Sequence, residues 1–322
     1  MALDRDLGVT FVRAVQPPLE RGWEMTAATG VRGLRLLKEG SGFRSFLFTE
    51  ASPRSFQVLR ENLAAEPRAT AVQGDGGSSA PGSPFDYVDL DPYGSPLPFL
   101  ATAVAATASG GILAVSATDM PVLAGAQPSA CRRRYGANPV RGRLGPEGAV
   151  RILLSTLERE AGREGRSIRP SLAYVGDHHV RAYVRLVAEP PLPGSVGSVD
   201  PKTWDGPDLG GPGPFGPFWL GPLVDPTLAA RLQVAPGAAR PRELARLVAA
   251  LKDDADVVRP FYYEANTLAS ELGLPRPPAL SALIEELRER GYRAGRTHAR
   301  PEGLRTDAPR PVVEDAARAR VR

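Results

Sequence analysis

The fold class predicted by this sequence is an open, doubly wound α/β sheet followed by a smaller α+β unit. Three observations predict it. From residue 22 to 187, strand-like and helix-like pieces alternate, as they do in a mainly parallel sheet with helices on both faces. The last two strand-like pieces of that region are joined by a short turn, which predicts an antiparallel edge. Beyond residue 222 the alternation gives way to three amphipathic helical segments and then a basic hairpin.

The elements read in order. "WEMTAATG" is a strand running into a loop, and "VRGLRLLKE" is a helix closed by Gly40. "FRSFLFTE" is a strand ending in Glu50. Ser52 and Pro53 then supply a cap and a first helical position for "SPRSFQVLRENLAAE". "ATAVQGD" is a short strand ending in Asp75, "FDYVDLD" the next strand, "PLPFLATAVAAT" a helix and "GGILAVSATD" another strand. "GPEGAVRILLSTLEREAG" carries Val150, Leu153, Leu154 and Leu157 at helical spacing. "PSLAYVGDHHVRAYVRLV" reads as two strands about a turn.

Residues 190–222 hold nine prolines and eight glycines, too many breakers for long regular elements. They form a linker or an irregular layer, with Trp204, Phe215, Phe218 and Trp219 as local packing. Next comes a helix with Leu244, Leu247, Val248 and Leu251 on one face, then a shorter one in "YYEANTLASELG". A third carries Leu280, Leu283, Ile284 and Leu287 and closes at Gly291, before "YRAGRTHARPEGLRTDAP" as strand and turn. The tail "EDAARARVR" is expected to fray. The domain organisation predicted is therefore 1–189, 190–222 and 223–322, the last resembling a winged-helix module.

Composition excludes some functions. Hydrophobic content of 42% and charged content of 24% are those of an ordinary globular chain. No window holds the ~20 apolar residues of a membrane span. One cysteine, Cys131, excludes disulfides within the chain and a cysteine-rich zinc site, which with the polar N-terminus fits the cytoplasm. The net charge is +4, and of 40 basic residues only Lys38, Lys202 and Lys252 are lysines. Arginine suits bidentate phosphate contacts and base stacking, although a GC-rich genome also yields this composition.

In an open parallel sheet, ligands bind beyond the carboxyl ends of the strands. Those ends carry "ATGVRG" with Gly30 and Gly33, then Glu50, then Asp75-Gly76, then Asp91-Pro92-Tyr93-Gly94. An acid at the second strand end suits two ribose hydroxyls, and one at the third suits an adenine amino group. The first loop lacks the G-x-G-x-x-G spacing of dinucleotide sites. The set better suits S-adenosylmethionine, whose methionine carboxylate would also need a cation. An acid in a strand-end turn is common for turn reasons alone, so each element is weak by itself.

The fourth strand end has a chemical reading. A base amino nitrogen is a poor nucleophile because its lone pair is delocalised into the ring. Attack on a sulfonium methyl makes it positive and costs it a proton. The Asp91 carboxylate can accept one N–H and stabilise that charge, and a carbonyl beside Pro92 can accept the other. Pro92 adds no N–H of its own. Tyr93 can stack on the base and Gly94 leaves room for it.

These motifs also carry a resemblance. "DLDPYGSPLPFL", "AVSATDMPVLAG", "ACRRRYGANPVRG", "DHHVRAYVR", "AATGVRGLR" and "RTHARPEGLRTD" resemble the tRNA (guanine(26)-N2)-dimethyltransferase family, from about residue 1 to about 308. The resemblance implies a Rossmann-like class I methyltransferase domain and a C-terminal α+β domain. It implies methylation of guanine 26 in tRNA by S-adenosylmethionine, with no membrane or obligate protein partner. It implies that Arg5 holds the cofactor's methionine end and Arg32 makes a second cofactor contact, that Glu50 bridges the ribose, and that Asp75 and Gly76 bind adenine. Asp91 would be the catalytic acid and Tyr93 the stacking ring, with Pro92, Thr118 and Asp119 lining the substrate cleft. Arg132, Arg133, Arg134, Arg181 and Arg296 would be candidate phosphate contacts.

Three departures from the family pattern matter. The family has an aromatic ahead of the position of Met1 that completes a base sandwich; either the true start lies upstream, or another aromatic such as Phe11 or Trp23 stands in. The family's zinc-binding cysteines are replaced by the Pro/Gly-rich stretch, so no zinc is expected. The family's Cys-His-Glu appears here as "LGPEGAVRILL", keeping only Glu147. None of His178, His179 and His298 is expected to be a metal ligand. The alternatives are an amino-methyltransferase acting on DNA, rRNA or a small molecule, and an inactive tRNA-binding homologue.

Overall fold

A computed structural model of the chain describes residues 2–78, 82 and 84–321. Seven strands form one sheet: β1 Arg21–Glu24, β2 Ser45–Glu50, β3 Ala69–Gln73, β4 Phe85–Leu90, β5 Thr107–Ala117, β6 Ser167–Val175 and β7 Val180–Val187. Their order is β3-β2-β1-β4-β5-β7-β6. Strands β1 to β5 pair in parallel, while β7 is antiparallel to both β5 and β6. The order reverses at β1, which lies between β2 and β4, and so creates the switch point at which open sheets bind ligands. This is the Rossmann-like methyltransferase fold class expected from the sequence.

The helices of the first half are α1 Ala2–Ala14, α2 Val31–Glu39, α3 Pro53–Leu63, α4 Leu100–Ala106, α5 Met120–Leu123, α6 Pro128–Tyr135 and α7 Gly145–Arg163. Helix α3 begins as its sequence dictates. Ser52 caps it by accepting from Ser55 N at 3.4 Å, and Pro53 fills the first helical position. Helix α2 packs closely on the sheet because Gly33 has no side chain. A Cβ there would lie 2.4 Å from Phe48 Cε1 and 2.9 Å from Phe46 Cε1.

Helix α1 was not legible as an element. Leu7, Val9, Phe11 and Val12 are all buried, together with Asp4 and Asp6, so the helix shows no polar face. Its acids are tolerated because they are paired. Asp6 Oδ1 takes Arg35 Nη1 at 2.6 Å, and Asp4 Oδ1 lies 3.0 Å from His179 Nε2.

The remaining elements are β8 Val196–Val199, β9 Phe215–Trp219, α8 Pro226–Arg231, α9 Pro241–Ala255, β10 Tyr263–Glu264, α10 Ala265–Glu271, α11 Leu280–Glu289, β11 Ala294–Thr297, β12 Arg300–Thr306 and α12 Arg310–Ala319. Strands β8 and β9 form an antiparallel pair within the Pro/Gly-rich stretch, where Phe215, Phe218 and Trp219 are buried as packing. The basic hairpin β11–β12 is joined by β10, giving the order β10-β12-β11. The tail is not frayed: Val313, Ala316 and Ala317 of α12 are fully buried beside Leu283 and Leu287 of α11. Small apolar residues at helical spacing inside "VVEDAARA" account for it. Arg322 lies outside the described residues.

The chain divides into two compact units. One comprises Met1–Asp119, Thr156–Pro191 and Ala230–Arg246; the other comprises Met120–Ser155, Leu192–Ala229 and Leu247–Arg322. The seven-stranded sheet lies in the first and the β10-β12-β11 sheet in the second. Among the described residues, no helix is long and apolar enough to cross a membrane.

Candidate active site

The strand ends of the first unit are stitched together by the segment that leaves β1. Met25 N donates to Asp89 O at 2.9 Å, and Ala27 N donates to Thr49 O at 2.9 Å. Thr26 Oγ1 receives Asp91 N at 3.2 Å, and Ala28 N donates to Glu50 Oε2 at 2.7 Å. Gly76 closes against the same segment: a Cβ on it would lie 2.3 Å from Met25 O. Four residues thus touch all three of the other strand ends singled out in the sequence. The turn is tight enough to hold Ala28 at φ 49 and Gly30 at φ 73.

Glu50 is half-buried, and each of its oxygens already takes one backbone N–H, from Ala28 and from Ser52 at 2.8 Å. Each retains acceptor capacity. Asp75 is exposed and organises its own turn, Oδ1 accepting from Gly77 N at 2.9 Å. Acceptors thus stand at two neighbouring strand ends, with Gly76 close against the segment that leaves β1.

The Asp91–Gly94 loop is pinned from β5. Gly94 N donates to Thr118 Oγ1 at 2.6 Å, and Thr118 N returns a bond to Gly94 O at 2.9 Å. Gly94, at φ 81, makes that turn possible. Pro92 is buried, whereas the side chain of Tyr93 is wholly in solvent, with a relative exposure of 104%. An aromatic ring that packs on nothing, two residues from a half-buried carboxylate, is available to stack on a planar partner. Asp119 is half-buried at the same strand end.

Asp91 pairs with Arg32, whose Nη2 contacts Asp91 Oδ2. Burial pushes the Asp91 carboxyl upward. Arg32, Arg181 and the Ser116 hydroxyl outweigh it and hold the group below its ordinary value, so Asp91 is an anion at neutral pH. The second nitrogen of Arg32, Nη1, is buried and has no hydrogen-bond partner among the described residues. Burial and Arg181 work against the charge of Arg32, but Asp89, Asp91 and Tyr183 raise its pKa further above the usual arginine value. Arg5 is half-buried on α1, and its side chain makes no hydrogen bond or ion pair with another described residue.

Beneath this layer lies a set of charges the sequence reading missed. Asp89 is 1% exposed, and its Oδ2 receives Tyr87 OH at 2.6 Å and Arg181 Nη2 at 2.6 Å. Arg181 is fully buried and also reaches Ser116 Oγ at 2.7 Å and Tyr183 OH at 2.9 Å. Arg181 therefore cannot touch a phosphate, contrary to expectation; it is committed to Asp89 inside the sheet. Glu24 is buried at the end of β1 and takes Gly33 N at 3.1 Å. Burial, with the nearby Asp89, pushes its carboxyl up to about 8. The available signal was an acid interrupting an apolar strand, in "WE" and in "YVDL".

Two other expectations fail. Phe11 and Trp23 cannot supply a second stacking face, because both are fully buried. Phe11 stacks on Tyr183 with ring centroids 4.1 Å apart, and Trp23 Nε1 donates to Thr49 Oγ1 at 2.8 Å.

In the second unit, Arg132, Arg133 and Arg134 are all exposed on α6. Arg132 bonds Asn138 Oδ1 at 3.1 Å and Ser129 Oγ at 3.3 Å. Arg296 is exposed on β11. Among the described residues, no group of three or more His, Cys, Asp and Glu side chains is placed to hold a metal ion.

Comparison with known proteins bears on this site. Residues 1–192 and 211–318 match the model of the N2,N2-dimethylguanosine tRNA methyltransferase family. A tRNA (guanine(26)-N(2))-dimethyltransferase of Thermococcus kodakarensis is 33% identical over 98% of this chain and 90% of its own. Its counterpart in Pyrococcus abyssi is 31% identical over 96% and 89%. The solved complex of Trm1 from Pyrococcus horikoshii with S-adenosyl-L-methionine superposes with a TM-score of 0.84 at 29% identity, covering 98% of this chain and 92% of that one.

Proposed function

The chain belongs to the N2,N2-dimethylguanosine tRNA methyltransferase family, and on that premise we propose that it transfers methyl groups from S-adenosylmethionine to N2 of guanine 26 in tRNA. The observation that carries this reading is the pairing of an anionic Asp91 with the fully exposed Tyr93 on a loop pinned by Thr118. The residues fit the cofactor, on two observations. Arg32 Nη1 is a buried donor lacking a partner, suited to a carboxylate, and Gly76 keeps its turn free of a side chain against Met25.

S-adenosylmethionine supplies an electrophilic methyl on its sulfonium. Arg32, with Arg5, would hold the methionine end. The remaining acceptor capacity of Glu50 would serve the ribose hydroxyls, and Asp75 with Gly76 would meet the adenine. Tyr93 stacks on the guanine and keeps N2 in line for attack. Asp91 would accept an N–H of N2, stabilise the positive charge that grows there as the new C–N bond forms and the methyl–sulfur bond breaks to leave S-adenosylhomocysteine, and take the proton. N2 carries two hydrogens, so the same carboxylate can act twice, giving the monomethyl and then the dimethyl product. The exposed Arg132, Arg133, Arg134 and Arg296 supply phosphate contacts, and segment 223–322 contributes the tRNA-binding module. We place it in the cytoplasm, a reducing compartment that a chain with one cysteine fits.

The test is incubation with methyl-labelled S-adenosylmethionine and tRNA transcripts bearing guanine or adenine at position 26, followed by nucleoside mass spectrometry. Label in N2-methylated guanosine from the first transcript alone is expected. Label in duplex DNA or rRNA with none in tRNA would overturn the reading. A second outcome follows from the tightest contact. Gly76→Ala must push the turn off Met25, and cofactor binding is expected to weaken about tenfold, ~1.4 kcal/mol, in calorimetry with S-adenosylhomocysteine. Unchanged affinity would remove this turn from the cofactor site.

A further inference from the structure

Arg32 faces two ways. Its Nη2 is engaged with Asp91, the group assigned to meet the nucleophile, while its Nη1 is buried without a partner. A buried guanidinium N–H left without an acceptor destabilises the site, and an anionic acceptor brought to it recovers that loss. S-adenosylmethionine carries one anionic group, the carboxylate of its methionine end. Its adenine, ribose and sulfonium cannot replace it. One guanidinium is therefore positioned to serve a carboxylate of the cofactor and the carboxylate that receives the guanine.

We propose that Arg32 couples the two substrates: with the cofactor's carboxylate on Nη1, Arg32 loosens its hold on Asp91, which then accepts the guanine amino group more strongly. The inference rests on the functional reading above. Its physical basis is that a single positive charge shared between two carboxylates serves each less than it serves one. The other groups that face Asp91 already have partners in the fold. Arg181 is committed to Asp89 and Ser116, and Thr26 Oγ1 holds the Asp91 backbone. Arg32 is the partner of Asp91 whose second nitrogen awaits a ligand. Linkage is reciprocal, so tRNA must tighten the cofactor by the factor with which the cofactor tightens tRNA.

The experiment reads binding, on the unaltered chain and on Arg32→Gln, with methyl transfer as the control. Calorimetry measures the affinity for a guanine-26 tRNA transcript without a ligand, with saturating S-adenosylhomocysteine, and with saturating 5′-methylthioadenosine, which lacks the carboxylate end. S-adenosylhomocysteine is expected to tighten tRNA by about fivefold or more, and 5′-methylthioadenosine to leave it unchanged. A transcript with inosine at position 26, which lacks N2, should show no tightening. Equal tightening by both ligands, or tightening that survives in the inosine transcript or in Arg32→Gln, would overturn the coupling. S-adenosylhomocysteine binding and methyl transfer without any tightening sink this inference alone. No S-adenosylhomocysteine binding and no methyl transfer sink the functional reading beneath it.

Discussion

Replacing Asp91 with alanine is expected to lower kcat by about 100- to 10,000-fold while leaving cofactor affinity at or above its wild-type value. That loss corresponds to about 2.7–5.4 kcal/mol of transition-state stabilisation. The two halves of the expectation come from different atoms. Asp91 is the anionic acceptor beside the exposed Tyr93 ring, so its removal leaves the charge growing on N2 unopposed and its proton without a local acceptor. The cofactor side depends on Arg32, which loses only a competitor when Asp91 goes. The backbone of the loop stays fixed, because Thr118 pins Gly94 rather than Asp91. Asp91→Asn separates charge from shape: its amide oxygen still accepts an N–H but cannot take a proton, and kcat should fall nearly as far. Single-turnover methyl transfer and calorimetry with S-adenosylhomocysteine decide the matter. Loss of cofactor binding in step with kcat would make Asp91 a structural partner of Arg32 and not the acceptor.

What the sequence disclosed and what it hid follow one physical division. Glu50, Asp75-Gly76 and Asp91-Pro92-Tyr93-Gly94 were legible because each ends a strand in a short local pattern, and parallel strands bring their ends together whatever lies between them. Arg181 was misread because its meaning is not local. In "RAYVR" it alternates like a solvent-facing position, yet its partner Asp89 lies 92 residues earlier, and the pair is buried inside the sheet. Arg32 was assigned to the cofactor from its loop alone, and nothing in that loop announces the contact with Asp91, 59 residues on. Helix α1 was missed for the related reason that burial on all sides erases the amphipathic stripe. Apolar periodicity and turn chemistry are written in neighbours; charge pairing across a fold is not.

The second unit holds the strongest case of such pairing, and it carries the largest expected effect on stability. Arg305 is 1% exposed. It grips Glu147 with both terminal nitrogens, Nη1 to Oε1 at 2.8 Å and Nη2 to Oε2 at 2.9 Å, and reaches Asp254 Oδ1 through Nε at 2.8 Å. Arg151 Nε also meets Glu147 Oε1 at 2.8 Å, and His298 Nδ1 contacts Asp254. Two buried carboxylates thus share one central guanidinium, with Phe261 N donating to Glu147 Oε1 at 2.7 Å. Removing one member of such a set leaves uncompensated buried charge, so Arg305→Met is expected to cost about 3–5 kcal/mol at pH 7 by urea denaturation. The cost must also depend on pH, with a definite sign. Burial pushes the Glu147 carboxyl up, but Arg305 and Arg151 outweigh it and bring it down to about 2. Burial is likewise overcome at Asp254, which Arg305 and His298 hold below the usual carboxylate range. Acids depressed in the folded state stabilise it above their unfolded pKa values, about 4, and that contribution fades as pH falls through the folded values. The gap between wild type and Arg305→Met should therefore be widest at neutral pH, begin to narrow near pH 4 and keep narrowing through about pH 2. Neutralising the stranded partners tests the cause: adding Glu147→Gln and Asp254→Asn to Arg305→Met should restore part of the loss at pH 7. A single variant within about 1 kcal/mol of wild type, or a gap that widens in acid, would show that this network does not hold the unit together.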